Sequence, residues 1–159
     1  MKQATLFLMI LICSCGQRNN DNSTLGARID SLQRKIDKTY KPGLGEFMSG
    51  IQVHHEKLWF AGRAQNWKLA DFEIGEIKEA FDGIREFCAD RPEVRSVSMI
   101  EPALDSVMLA IQKRDTLHFR NSFIVLTNTC NSCHVATKHE FNVIKIPDTP
   151  PFSNQVFKQ

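Results

Sequence analysis

Apolar positions recur at spacings of three and four along most of the chain, and no stretch alternates apolar with polar as a half-buried strand would. A first segment, about Leu44 to Arg63, sets Leu44, Met48, Ile51, His55 and Leu58 on one helical face. A second, about Trp67 to Ala89, carries Ala70, Ile74, Ile77, Phe81, Ile84 and Cys88 in unbroken four-three alternation, the pattern of a bundle seam. Asp90-Arg91-Pro92 ends it. A third, about Ile100 to Arg114, turns Ile100, Leu104, Val107 and Ile111 inward and tolerates Pro102 in its first turn. A fourth, about Thr116 to Lys138, aligns Phe119, Phe123, Leu126, Cys130, Cys133 and Thr137. All but one of the connections are short, so neighbours should run antiparallel. The expected fold is all-α: an up-down-up-down four-helix bundle over 44–138. From His139 onward Pro147, Pro150 and Pro151 forbid another helix, which makes 139–159 an extended tail.

The N-terminus has a different character. Lys2 followed by Leu6-Phe7-Leu8-Met9-Ile10-Leu11-Ile12 reads as a signal peptide over 1–14, its apolar run too short to span a bilayer as a stable helix. Ile12-Cys13-Ser14-Cys15-Gly16 resembles the lipobox of bacterial lipoproteins. An aliphatic residue stands three before Cys15 and a small one immediately before it, whereas Cys13 would have Ile12 at the small position. The resemblance implies cleavage before Cys15 and its lipidation. Two or more acyl chains then hold the protein stably on a membrane. The competing reading is soluble export. Either way the chain is expected to work outside the cytoplasm, facing the periplasm or the cell surface. Residues 15–43 read as a tether. Within it Leu25, Ile29, Leu32 and Ile36 suggest about three turns of amphipathic helix, a spacer or the seam of a homodimer.

Charge removes one class of partner. Twenty Lys plus Arg face 18 Asp plus Glu, and losing Lys2 with the leader leaves 19, so no electrostatic case for nucleic acid exists. Eleven Phe against two Trp and one Tyr suit an apolar pocket. No Ser/His/Asp grouping, phosphate-binding glycine loop or carboxylate pair supports a hydrolase or transferase, and the chain is read as a non-enzyme.

Cys130-Asn131-Ser132-Cys133-His134 is C-x-x-C-H, the attachment sequence of c-type haem. Residues i and i+3 share a helix face, so two thiols can add to the two vinyl groups of one porphyrin. The next residue, His134, then supplies the proximal imidazole. Covalent attachment is made outside the cytoplasm, which agrees with an exported chain. Competing readings are weaker. A redox dithiol usually sits in a βαβ setting. A zinc site of Cys130, Cys133, His134 and His139 asks adjacent residues to share one tetrahedron. A disulfide across three helical residues would be strained.

A C-x-x-C-H near the end of the last of four helices resembles the class II c-type cytochromes, the cytochrome c-prime group and its low-spin relatives, over about Leu44–Lys138. The leading helix and the long tail depart from that pattern. The resemblance implies thioether bonds at Cys130 and Cys133, one covalent haem c, and His134 as fifth iron ligand. In low-spin members a methionine early in the first helix is the sixth ligand, and Met48 resembles it. His55 shares the inward phase and comes second; His54 also competes. Both lie about 9–10 Å further along the axis. An open iron is the third reading. His118, roughly 24 Å from His134 along its helix, is too far to join, and Cys88 reads as a buried small hydrophobe. Trp59, Trp67 and Phe123 line either the core or the haem. The expected function is a lipid-anchored monohaem cytochrome passing single electrons between periplasmic or membrane redox partners. Alternatives are a five-coordinate haem protein that binds or senses NO or CO, and a structural zinc protein.

Overall fold

The structure is a computed structural model that describes residues 17–158, with side chains from residue 22. The described residues are all-helical: α1 Gln17–Asp37, α2 Leu44–Arg63, α3 Trp67–Phe87, α4 Glu101–Gln112 and α5 Thr116–Ala136, with a 3₁₀ segment over Pro92–Ile100 and no strand. The signal-peptide and lipidation readings, including Cys15, lie outside the described residues. No helix among them is long and apolar enough to cross a membrane.

The chain divides after Lys41 into two units. The first is α1, which begins at Gln17, so the polar stretch expected as tether is helical. Leu25, Ile29, Leu32 and Ile36 are each more than half exposed along it. The second unit, Pro42 onward, holds the core. In it α2 packs on α3, α3 on α4, α4 on α5 and α5 on α2, closing a ring of four helices.

Local chemistry sets the helix boundaries. Gln65 takes a left-handed φ of 59° just past α2, and its N–H and that of Asn66 bond back to the carbonyls of Gly62 and Ala61. That satisfies two carbonyls the helix end leaves open. Asn66 then caps α3 by accepting from Leu69 N–H at 3.2 Å. The same device recurs between α4 and α5. Arg114 is left-handed at 53°, its N–H and that of Asp115 reach Ile111 and Ala110, and Asp115 caps α5 through His118 N–H at 2.9 Å. The 3₁₀ segment was not foreseen; it starts at Pro92 and buries Val97 and Ile100.

Every inward residue expected between Ile51 and Leu126 is buried, and Cys88 joins them at 4% exposure, its Sγ 3.7 Å from the Pro42 carbonyl. Trp59, Phe119 and Phe123 interlock with centroids 4.9–6.4 Å apart, and Trp67 meets Phe119 edge-on at 6.1 Å. These aromatics are core.

Two glycines test this packing. A Cβ on Gly62 would fall 2.1 Å from the Phe119 ring, which is fully buried and has nowhere to go. Gly75 has nothing within 4 Å. Gly62→Ala should therefore destabilise the protein by about 1–3 kcal/mol through overpacking. Gly75→Ala should stabilise it by up to about 1 kcal/mol through helix propensity. Urea unfolding of both variants checks this, and equal effects would contradict the packing.

Candidate functional site

The inward stripes of α2 and α5 change role along their length. On α5, Phe119, Phe123 and Leu126 are buried, but Cys130, Cys133 and the C-cap Thr137 just past the helix are only half-buried. On α2, Ile51, His55 and Leu58 are buried, but Leu44 and Met48 are half-buried. The open parts face one another across a cavity of about 390 Å³. The first turns of α2 supply Leu44, Gly45, Met48, Ser49, Ile51, Gln52 and His55. The last turns of α5 supply Cys130, Cys133 and His134, and its C-cap supplies Thr137. Phe81 and Ile100 close the floor, Arg91, Glu93 and Val97 come from the segment after α3, and His139, Asn142 and Ile144 come from the tail.

Helix lengths explain why the space exists. α5 has 21 residues and α4 only 12. At 1.5 Å per residue that is about 31 Å against 18 Å. α4 cannot cover the C-terminal turns of α5, so irregular chain does: the 3₁₀ segment reaches them, with Cys133 Sγ 3.8 Å from the Ser96 carbonyl.

The chain then folds back over His134. Lys138 is left-handed at 61°, and the N–H groups of Lys138 and His139 bond to the carbonyls of Val135 and His134. This is the third use of one cap, again without glycine. His134 Nδ1 lies 2.6 Å from the Asn142 carbonyl. A carbonyl only accepts, so Nδ1 must carry the proton, and in the neutral ring Nε2 holds the lone pair. His139 is set likewise, its Nδ1 2.7 Å from the Thr137 carbonyl.

His55 is arranged differently. Thr127 donates its hydroxyl proton to the Phe123 carbonyl at 2.9 Å, so its oxygen accepts from His55 Nε2 at 2.9 Å. The ring also packs on Phe123 at 4.4 Å. Burial lowers its pKa to about 4, so it is neutral at pH 7. His54 does not line this cavity. It faces α3, with Nδ1 2.7 Å from the buried carboxylate of Glu73 and Nε2 3.9 Å from Glu76. Met48 and His55 thus both line the cavity, whereas His54 is engaged with α3.

The sequence reading singled out Cys130, Cys133, His134, Met48 and His55, and all five line this one cavity. It missed Arg91 and Glu93, which hold each other at 2.9 Å, and the tail residues. Among the described residues no three His, Cys, Asp or Glu side chains converge to hold a metal ion. Cys88, Cys130 and Cys133 are free thiols.

Burial pushes the Cys130 thiol up to about 12, with the neighbouring Cys133 adding to it, and burial raises Cys133 as well. The thiolate is the nucleophile. In the folded, haem-free chain Cys130 should accordingly be alkylated by iodoacetamide at pH 8 on the order of 100-fold more slowly than a free peptide thiol. Denaturation should abolish the difference. Mass spectrometry of timed digests reads this out, and equal labelling of folded and unfolded Cys130 would contradict the burial. No family model matches the chain, and neither the curated proteins nor the solved structures contain a match.

Proposed function

We propose that this protein is a lipid-anchored monohaem c-type cytochrome that carries single electrons outside the cytoplasm. The observation that carries the reading is the C-x-x-C-H motif on a cavity wall, with the histidine's Nδ1 already bonded to a backbone carbonyl and its Nε2 left to donate. That is the tautomer a histidine ligand needs, and the carbonyl raises its basicity. Other features support the fit. The cavity volume falls within the range of cofactor sites. Two free thiols three residues apart stand on its wall, and Arg91 offers a guanidinium to acidic ring substituents.

The ring of four helices joined by two short capped turns and one longer 3₁₀ connection favours an up-down-up-down bundle, the arrangement of the class II c-type cytochromes. Bound haem would supply a one-electron couple. Cys130 and Cys133 would hold it by thioether bonds and His134 would be its fifth ligand. Met48 would be the sixth, because it stands on the opposite wall, whereas His55 Nε2 is engaged by Thr127. The apolar wall would exclude water and fix the potential. Capture of a small gas at an open iron is the second reading, favoured if Met48 only packs.

Expression with a haem c maturation system should give a pyridine haemochrome of covalent haem. Replacing both Cys130 and Cys133 by Ala should abolish it. Met48→Ala should turn a low-spin haem high-spin and admit CO. Absence of covalent haem would end the proposal, and a wild type that is already high-spin and CO-reactive would favour the gas reading. The anchor is tested separately. Cys15→Ser should release the protein from the membrane fraction, and retention of that variant together with release of Cys13→Ser would contradict the lipidation site.

A further inference from the structure

Asn131 sits between the two cysteines of the motif, where the attachment chemistry makes no demand on residue type. Both ends of its side-chain amide are nevertheless engaged. Nδ2 donates to the Ile144 carbonyl at 2.8 Å, and Oδ1 accepts from the Ile144 N–H at 2.8 Å. One side chain thus pairs with both backbone groups of a residue thirteen positions away, as a neighbouring strand would. Two residues before Ile144, the Asn142 carbonyl accepts from His134 Nδ1.

The two contacts are in register. Asn131 and His134 are i and i+3 on α5, about 5–6 Å apart on one face. Asn142 and Ile144 are two residues apart in irregular chain, about 6–7 Å if extended. A slip of the tail by one residue would lose both contacts together. The turn between is fixed by His139 N–H to the His134 carbonyl at 2.7 Å and Asn142 N–H to the His139 carbonyl at 2.9 Å.

We infer that Asn131 is a positioning residue for the histidine ligand: by clamping the tail at Ile144 it places the Asn142 carbonyl on His134 Nδ1 and so sets the tautomer, orientation and basicity of the ring. The inference rests on the haem reading above. It gives the tail a function at the site, since a carbonyl acceptor strengthens the imidazole donor and favours ferric iron. Removing the clamp frees Asn142, weakens the donor and raises the midpoint potential. Asn131 itself contacts neither iron nor electron partner.

The test uses the full haem-loaded chain as wild type, Asn131→Ala and Ile144→Pro, the last removing the N–H that Oδ1 accepts. All three are first checked for covalent haem. Asn131→Ala should shift the ferric–ferrous equilibrium about tenfold toward ferrous, some 59 mV upward for one electron. Ile144→Pro, which keeps Asn131, should shift it in the same direction by less. In the ferrous wild type the His134 Nδ1 proton should exchange slowly with solvent by ¹⁵N-edited NMR, and in Asn131→Ala rapidly. An unchanged potential in haem-loaded Asn131→Ala overturns the role of Asn131. If that variant fails to take up haem, the wild-type proton decides: protection supports the clamp, and exchange at the rate of a free imidazole overturns it. A wild-type chain that carries no haem overturns the proposed function itself, a separate outcome.

Discussion

The apolar stripe of α5 runs past the end of the helix that could cover it, and much of the molecule answers to that mismatch. A helix face carrying Cys130 and Cys133 cannot simply be left in water at the edge of a core, nor can the short α4 reach it. Three pieces of chain converge there: the first turns of α2, the 3₁₀ segment after α3, and the irregular tail after α5. Irregular chain has its own backbone groups to satisfy. Around the cavity these are met by caps and side chains, as in the Lys138 turn and the Asn131 amide. The result is a core packed densely at the level of Trp59, Phe119 and Phe123 and opened at the level of the motif.

Most of the helical frame was legible because its signals are local. The four-three alternation from Ala70 to Cys88 fixes which face of α3 is buried. The bounds of α2 were read without error for the same reason. The 3₁₀ segment was missed although Val94, Val97 and Ile100 recur every three residues, the period of that helix, because so short a run competes with an ordinary loop. The strap over His134 could not be read at all. Its order comes from two side chains bonding to backbone carbonyls and an N–H, and such bonds leave no trace in side-chain periodicity. The start of α1 was placed too late because polar residues without an apolar face carry no phase.

The two adjacent histidines show how finely the site depends on helical phase. His54 and His55 are separated by 100° around α2. One pairs with the buried Glu73 on α3; the other gives its Nε2 proton to Thr127 on α5 and stacks on Phe123. Residue type made both candidates for the iron, and inward phase put His55 ahead of His54. Their hydrogen-bond partners tie His54 to α3 and His55 to α5, and His55 still lines the cavity together with Met48.

The same burial sets the thiols at 130 and 133 apart from free redox chemistry. A dithiol that cycles needs a stabilised thiolate, and Cys130 has the reverse, a thiol held protonated far above neutrality. A thioether carries no ionisable proton and loses nothing by desolvation. On the haem reading, an environment that disfavours the reactive form of the cysteine is well matched to its alkylated product. On the same reading, bond formation would belong to a stage before the helices close, when the thiols are still in water. The closed bundle would then protect the product: α2 and the tail line the cavity, and the strap holds His134 in the tautomer whose Nε2 carries the lone pair.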